Sequence, residues 1–418
     1  MSVVEKIQEQ SLAAYKAKPA LIREHYNKEN RERNNYAGRP LLELLQNAED
    51  ALTGWDGRER RVRVVLRDGI LWALNHGRPF NDRGFQALCD SDDSPKTGRG
   101  YIGNKGTGFK SVLNWTEQPA IYSGDIRARF CRSEARDLIL GQIDMPSFQK
   151  EDANWRRDQV PLLRVPLSGD PDTIVTKYTN EGWDTVLRIP LLDGKALDVQ
   201  SSIDDFDPEC LIFLRHIEEL TLCTPTGERT FKVQRKELSS SERCTAWSIQ
   251  IIDGNNGCSY RLFRRRLDLS SQQPGIPDGD TSLGDFAEVA IAFCLETPTE
   301  HKKRSLFNFF PVKGQTSPFP NLLLHGTFLL KPDRNDLLEH DSVYHEKLTK
   351  ELADLLGESV IPNLINEFGH NSLQYLHPGP EPQRSPSQLH YIWKCLRDTV
   401  ATKEFLPALG RQSQAPLF

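Results

Sequence analysis

The chain lacks any apolar stretch long enough to cross a bilayer. Its longest strongly apolar run lies around Val289 to Leu295, far short of the roughly 18 residues a spanning helix needs. The opening residues, MSVVEKIQEQ, are charged and amphipathic and have neither the apolar core nor the small-residue cleavage site of a secretory signal. Eight cysteines are scattered without a C-x-x-C, which indicates no disulfide framework and no zinc site and predicts reduced thiols lodged mostly in cores. Blocks of like charge are missing too. The 53 basic and 58 acidic side chains are interspersed, so composition names no polyanionic partner. Together these absences predict a soluble, cytoplasmic protein with no membrane partner.

What is present is enough for a buried core: 418 residues at 38% hydrophobic content allow two or three domains. Apolar spacing predicts helices near 4–27 and 39–54. The runs RVRVVLRD and ILWALN, separated by Asp68-Gly69, predict a β-hairpin. A helix capped by Asn81 or Asp82 runs to about Asp90, a glycine-bearing loop covers 91–108, and a helix opens at Gly108-Phe109 and ends near Trp115. The strands QPAIYSG and IRARFCR, the helix SEARDLILGQI, an irregular insertion over 144–180 and the strand DTVLRIPL complete a first domain over 1–195. Residues 196–340 read as a helix, FDPECLIFLRHI, followed by several strands. Residues 341–418 read as a helical segment, helical by period over 341–367 and 388–406, with a proline-rich linker near 377–387. No repeat of solenoid period is visible.

Two short stretches carry chemistry. In ELLQNAEDAL, helical periodicity puts Glu43, Asn47, Asp50 and Ala51 along one face, while Leu41, Leu45 and Leu52 point into a core. Alone, such a stripe is the solvated face of an amphipathic helix. In YIGNKGTGFKSV, the glycines 103, 106 and 108 permit close backbone approach and open onto a helix start, a combination that binds phosphate. Gly98, Gly100 and Gly103 spell G-x-G-x-x-G with no apolar strand before them, and Phe109 separates Gly108 from Lys110, so neither a dinucleotide fingerprint nor a Walker A loop is present.

The helix from Arg39 to Ala51, then Asn75-His76-Gly77-Arg78-Pro79-Phe80, Ser94 and Lys96, Ile102 to Val112, and Ser123-Gly124-Asp125 form five ordered motifs over about ninety residues. In that order they resemble the GHKL superfamily of gyrase B, MutL, histidine kinases and the large heat-shock chaperone, and within it the sacsin-like branch. The resemblance implies an α+β protein. Its first part is a two-layer α/β sandwich of the GHKL or Bergerat type, followed by a second, transducer-like α+β domain and a helical C-terminal segment. It also implies ATP and Mg2+ as cofactors, and an ATP hydrolase.

Residue by residue, the resemblance makes Glu43 the general base and Asn47 the Mg2+ ligand. Asp50 and Ala51 shape the nucleotide pocket, Asn75 accepts from the adenine amino group, Gly77 allows the turn beneath the base, and Phe80 completes that motif. Ser91 to Gly108, with Gly103, Gly106, Thr107 and Gly108, form a lid over the phosphates; Lys96, Lys105 and Lys110 are its candidate charge partners, and Phe109 follows in the same motif. Lys110, in the first turn of a helix, opposes the dipole unless an anion is near. Thr185 completes the adenine contact. Lys313, in the turn Lys313-Gly314-Gln315-Thr316, is the candidate for a lysine lent to the γ-phosphate. Asn75 stands where the wider superfamily has aspartate, and brings an acceptor without charge and an NH2 that needs partners of its own.

The function implied is a nucleotide-driven lid closure and conformational switch in a chaperone-like or defence or stress-system component, with a nucleotide-dependent homodimer and protein partners. The alternatives are a non-hydrolysing nucleotide-gated scaffold and a DNA-processing clamp subunit. A histidine kinase is disfavoured: no four-helix dimerisation segment stands upstream, and His340 and His345 read as helix-surface residues. The basic runs Arg264-Arg265-Arg266 and Lys302-Lys303-Arg304 are short and fit strand-edge charges that discourage aggregation as well as they fit a nucleic-acid surface, which is the minority reading.

Overall fold

The computed structural model describes residues 1–35, 38–57, 59–90, 108–143, 156–268, 286–296, 304–331, 334–338, 343–382, 387–402, 404–407 and 414–416. The fold is α+β, in two compact units: residues 1–206 with 216–230, and residues 207–215 with 231–418.

The first unit opens with α1 (Val3–Ala17), started by a capping box in which the Ser2 hydroxyl and the Glu5 carboxylate each take the other residue's backbone N–H. The single helix expected over 4–27 is two helices. Pro19 cannot continue the hydrogen-bond ladder, so α1 stops at Ala17 and α2 runs Ala20–Asn35. α3 (Pro40–Leu52) has proline in its first turn, where no N–H is needed, and Gly54 at φ 64° turns the chain out beyond its end. Leu41, Leu45 and Leu52 are buried, as their spacing requires.

β1 (Arg61–Arg67) and β2 (Ile70–Asn75) pair antiparallel, with Asp68 and Gly69 both at positive φ, the backbone a tight two-residue hairpin needs. After α4 (Asp82–Asp90) and a short 3-10 helix (Gly108–Asn114) come β3 (Ala120–Ser123), β4 (Ile126–Arg129), α5 (Arg132–Leu140), β5 (Leu167–Ser168), α6 (Thr173–Asn180), β6 (Thr185–Pro190), α7 (Lys195–Asp204) and β7 (Glu219–Thr224). The strands lie in the order β7-β1-β2-β6-β3-β4-β5, with β1 and β7 parallel.

Two differences from the expected elements stand out. The segment over 144–180, where described, is ordered: it adds β5 to the sheet edge and α6, capped by Asp172, to one sheet face. There Val175 packs with Trp72, Leu74, Ala120, Tyr122 and Val186. The helix expected from Gly108 to about Trp115 is 3-10.

In the second unit β8 (Gly227–Ser240, from Phe231 onward), β9 (Thr245–Asp253), β10 (Asn256–Asp268) and β11 (Phe286–Cys294) form a long antiparallel meander. It continues through β14 (Leu323–Gly326) and β12 (Ser305–Asn308) to β13 (Phe310–Thr316). The helix read from FDPECLIFLRHI is only the 3-10 turn Pro208–Ile212. α8 (Val343–Leu355) and α9 (Ile361–Phe368) are joined by a π turn over Leu356–Val360, ahead of Pro362, which has no N–H to give the carbonyl of Glu358. α10 (Leu373–Leu376) and α11 (Gln388–Thr402) follow, and residues 404–407, expected to prolong α11, are a strand.

Several side chains of this unit expected at the surface are interior, while Arg266 is exposed and Lys302 and Lys303 lie outside the described residues. His345 is buried, its Nε2 accepting the Leu329 N–H at 2.9 Å, and His340 lies outside the described residues. Arg264 and Arg265 are turned inward, toward Glu288 for one and Glu351 and Glu358 for the other. Arg304 forks onto Glu209. Lys313 stands exposed on strand β13 rather than in a turn. Gly314 there leaves room for Asp336, whose Oδ1 would lie 2.1 Å from an added Cβ.

Candidate functional site

A cavity of about 270 Å3 opens in the first unit on the sheet face opposite α6. That is near the lower bound, about 300 Å3, for pockets that hold a small organic molecule. α3 supplies Leu44, Asn47, Ala48, Asp50 and Ala51, while β1 and β2 supply Val62, Val64, Ala73 and Asn75. β6 supplies Thr185 and Leu187, and Phe80 and Phe109 line it from the segment after β2 and from the 3-10 helix. Seven of the residues singled out in the sequence, Asn47, Asp50, Ala51, Asn75, Phe80, Phe109 and Thr185, therefore meet at one place.

Strand register explains the polar end of that wall. Asn75 is paired with Thr185, and Thr185 with Ser123, so the three side chains form a row across β2, β6 and β3 on one sheet face. Asn75 is 8% exposed, and its Nδ2 donates to the His76 carbonyl at 2.9 Å. A carbonyl only accepts, so the amide nitrogen must lie on that side and Oδ1 is left for the cavity. The Thr185 and Ser123 hydroxyl oxygens are 2.6 Å apart, and Ser123 Oγ accepts the Phe80 N–H at 3.0 Å.

The turn after Asn75 is locked onto the end of α3. Gly77 has φ 134°, and a Cβ there would come within 2.7 Å of the Ala51 carbonyl oxygen. Only glycine fits both restrictions. The Arg78 N–H donates to that same Ala51 oxygen at 2.8 Å, and the Gly77 N–H to Asp184 Oδ2 at 3.0 Å. Behind the turn the His76 ring stacks on Trp183 at 4.7 Å and lies 2.9 Å from Glu59. Asp184 and Ser123 are supports with no role expected from sequence alone, although Ser123 belongs to the Ser123-Gly124-Asp125 motif and Asp184 precedes Thr185.

Other singled-out residues lie elsewhere. Glu43 shares a helical face with Asn47, one turn earlier, but is only 2% exposed and is not part of the cavity wall formed by the described residues. Lys110 is fully buried with its Nζ 2.6 Å from Glu32 of α2. The anion that its place in the first helical turn called for is thus a side chain of this chain. Burial pulls the Lys110 ammonium below its ordinary value, and Glu32 pulls it back up. Gly108 begins the 3-10 helix, and Lys96, Gly103, Lys105, Gly106 and Thr107 lie outside the described residues.

Two further buried carboxylates act as backbone clamps. Glu49 accepts the His216 and Ile217 N–H groups at 2.9 and 3.0 Å, and Glu29 accepts those of Leu162 and Leu163 at 3.0 and 2.9 Å. Among the described residues no group of three or more His, Cys, Asp or Glu side chains converges as a metal cage, and no helix is long and apolar enough to cross a membrane.

No protein-family profile matches the chain. It is similar to the protein NO VEIN of Arabidopsis thaliana, 24% identical over a 358-residue alignment, which covers 81% of this chain and 12% of that protein. It is also similar to human sacsin, 24% identical over a 218-residue alignment that covers 44% of this chain and 4% of sacsin. The chain thus spans only a small fraction of either relative. Among solved structures, the B subunit of DNA gyrase from Myxococcus xanthus aligns with 87% of this chain and 99% of its own. Its identity is 10% and its TM-score 0.37, too low for an argument to rest on it.

Proposed function

We propose that the first unit binds an adenine nucleotide in this cavity, and that the protein is a Mg2+-dependent ATP hydrolase of the sacsin-like GHKL class. The observation that carries the reading is the convergence of Asn47, Asp50, Asn75, Phe80 and Thr185, from three separate stretches of the sequence, on one small cavity. The similarity to sacsin supports it. The cavity suits a planar base: apolar walls from Leu44, Ala48, Val64 and Leu187 surround a polar end of one amide and one hydroxyl.

In this reading Asn75 and Thr185 hold the base edge, and Gly77 keeps the turn close to α3. Asn47 offers a neutral oxygen to a hard cation, which fits Mg2+ because that ion keeps most of its other ligands as phosphate oxygens and water. Bound Mg2+ would neutralise charge on the phosphates. Glu43, one turn from Asn47, takes the proton of the attacking water. Binding and release drive a conformational switch, with a nucleotide-dependent homodimer and protein partners in a chaperone-like or defence or stress system.

A second reading, a nucleotide-gated scaffold that does not hydrolyse, is favoured by the burial of Glu43 away from the cavity wall. One experiment separates the two: ATP turnover with Mg2+ by wild type and Glu43→Ala, with nucleotide binding measured calorimetrically on both. Turnover by wild type alone, with both binding, supports the hydrolase. Equal binding with no turnover by either supports the scaffold, and no binding by wild type removes both.

A further inference from the structure

The row Asn75, Thr185, Ser123 contains a direction that the distances alone do not state. A hydroxyl has one hydrogen to give and two lone pairs to receive with. Ser123 Oγ already receives the Phe80 N–H at 3.0 Å, and it shares a hydrogen bond of 2.6 Å with Thr185 Oγ1. If Thr185 were the donor, both Ser123 lone pairs would be filled. The Ser123 hydrogen would then be stranded in a place 2% exposed, with no other acceptor among the described residues. A stranded buried donor is costly. If Ser123 is the donor, its hydrogen and its bond to Phe80 are both satisfied. The Thr185 hydrogen is then released toward the cavity that Thr185 lines.

We infer that Ser123 is a specificity-determining positioning residue: by donating to Thr185 it makes the Thr185 hydroxyl a donor into the cavity beside the Asn75 acceptor. This rests on the adenine-nucleotide reading above and gives the residue that sets the choice of base. Asn75 and Thr185 are direct cross-strand partners, so their polar ends stand side by side, about 5 Å apart at Cβ. The amide end of Asn75 is fixed as an acceptor by the His76 carbonyl. The wall therefore shows acceptor then donor. Adenine presents the complement, an amino N–H beside a ring nitrogen acceptor, whereas guanine presents a carbonyl oxygen beside a ring N–H. Guanine would face acceptor against acceptor and donor against donor, which rejects it by leaving buried polar groups unmade.

Ser123 touches no ligand in this scheme. Its removal frees Thr185 to rotate and to offer a lone pair instead, so it changes which base is preferred. A purely structural support would weaken both bases alike.

The test is calorimetric binding of ADP and of GDP to the full chain as wild type, Ser123→Ala, Ser123→Thr and Thr185→Val, with thermal melts confirming folding. Wild type is expected to prefer ADP. Ser123→Ala should lower that preference about tenfold, the effect of one lost hydrogen bond, and Ser123→Thr should restore most of it. Should Ser123→Ala fail to fold, Thr185→Val removes the same donor while leaving the Phe80 bond in place, and is expected to lose the preference equally. Weakening of ADP and GDP by the same factor in these variants overturns the inference and leaves the nucleotide reading standing. Failure of wild type to bind either nucleotide overturns the nucleotide reading itself.

Discussion

The Glu288 cluster of the second unit and the cavity wall of the first bury polar groups in opposite ways. In the second unit, Glu288 is fully enclosed and faces Arg215, Arg264 at 3.5 Å and His325 at 3.3 Å. The Arg264 guanidinium also reaches the Phe213 carbonyl, and His325 Nδ1 receives the Phe309 N–H. Burial pushes the Glu288 carboxyl upward, but Arg264, Arg215 and His325 outweigh it and hold it well below the ordinary range. Every charge there has an opposite charge inside the protein. In the first unit the Asn75 oxygen and the Thr185 hydrogen end at a cavity, with no acceptor or donor among the described residues to complete them. The lesson is that burial of polar groups does not mark a binding site. Spare hydrogen-bonding capacity directed at open space does.

The largest break in that comparison is Glu288→Gln. It keeps the shape and removes the charge, leaving two buried guanidinium groups facing each other with no carboxylate between. Breaking a buried pair in this way costs about 3–5 kcal/mol, so denaturant unfolding should show the second unit lose most of its margin, with ADP affinity of the folded protein unchanged. A loss under about 1 kcal/mol would mean that the network is hydrated and not closed.

Next in size is a pH effect. Burial lowers the His345 pKa to about 4 from an ordinary 6.5, because the ring is enclosed and held neutral as acceptor of the Leu329 N–H. The unfolded chain then takes up a proton that the folded chain refuses, so stability is full above pH 6.5 and falls as pH drops toward 4. The two and a half unit gap corresponds to about 3 kcal/mol. Below pH 4.5 the unfolded chain protonates Glu288 while the folded chain keeps it ionised, which adds a further loss as pH falls. His345→Gln retains an acceptor for Leu329 and should flatten the limb between pH 6.5 and 4. His25 of the first unit, also lowered to about 4 by burial, would leave a residual slope. An unchanged limb in the variant would show that His345 ionises without unfolding.

What was legible in the sequence follows the same division. Local chemistry was readable: the Asp68-Gly69 hairpin, the α3 leucines, and the ordered motifs that converge on the cavity. What escaped was set by tertiary partners. The Arg264 and Arg265 run has the composition of a surface patch, and only Glu288, Glu351 and Glu358, brought in from β11, α8 and the π turn, make it interior. His345 looks like a helix-surface residue until the Leu329 N–H is placed against it. Ser123 was visible as a motif letter, but its donor role needs the register of three strands and the Phe80 N–H. The helix 173–180 lay in a stretch where loop-forming composition outweighed periodicity, and 108–114, expected as a helix, differs in its tighter 3-10 winding.

The smallest expected effect is the sharpest on function. Lys110 belongs to the same motif as the glycine run, and a lysine there invites a phosphate role, yet its partner is Glu32 at 2.6 Å. Lys110→Met replaces the chain by an apolar one of similar length in a fully buried place, while Glu32, at 15% side-chain exposure, can regain some water. The loss should therefore be about 1–2 kcal/mol, nearer a lost charged hydrogen bond than a stranded charge. Glu32→Gln should cost more, because it strands the ammonium in a place where burial already opposes its charge. ADP affinity of folded Lys110→Met should match wild type within about twofold, against a loss of tenfold or more for a lysine that held phosphate. A large affinity loss with little change in stability would reverse the assignment and move Lys110 from the closed pairs of this fold to its open site.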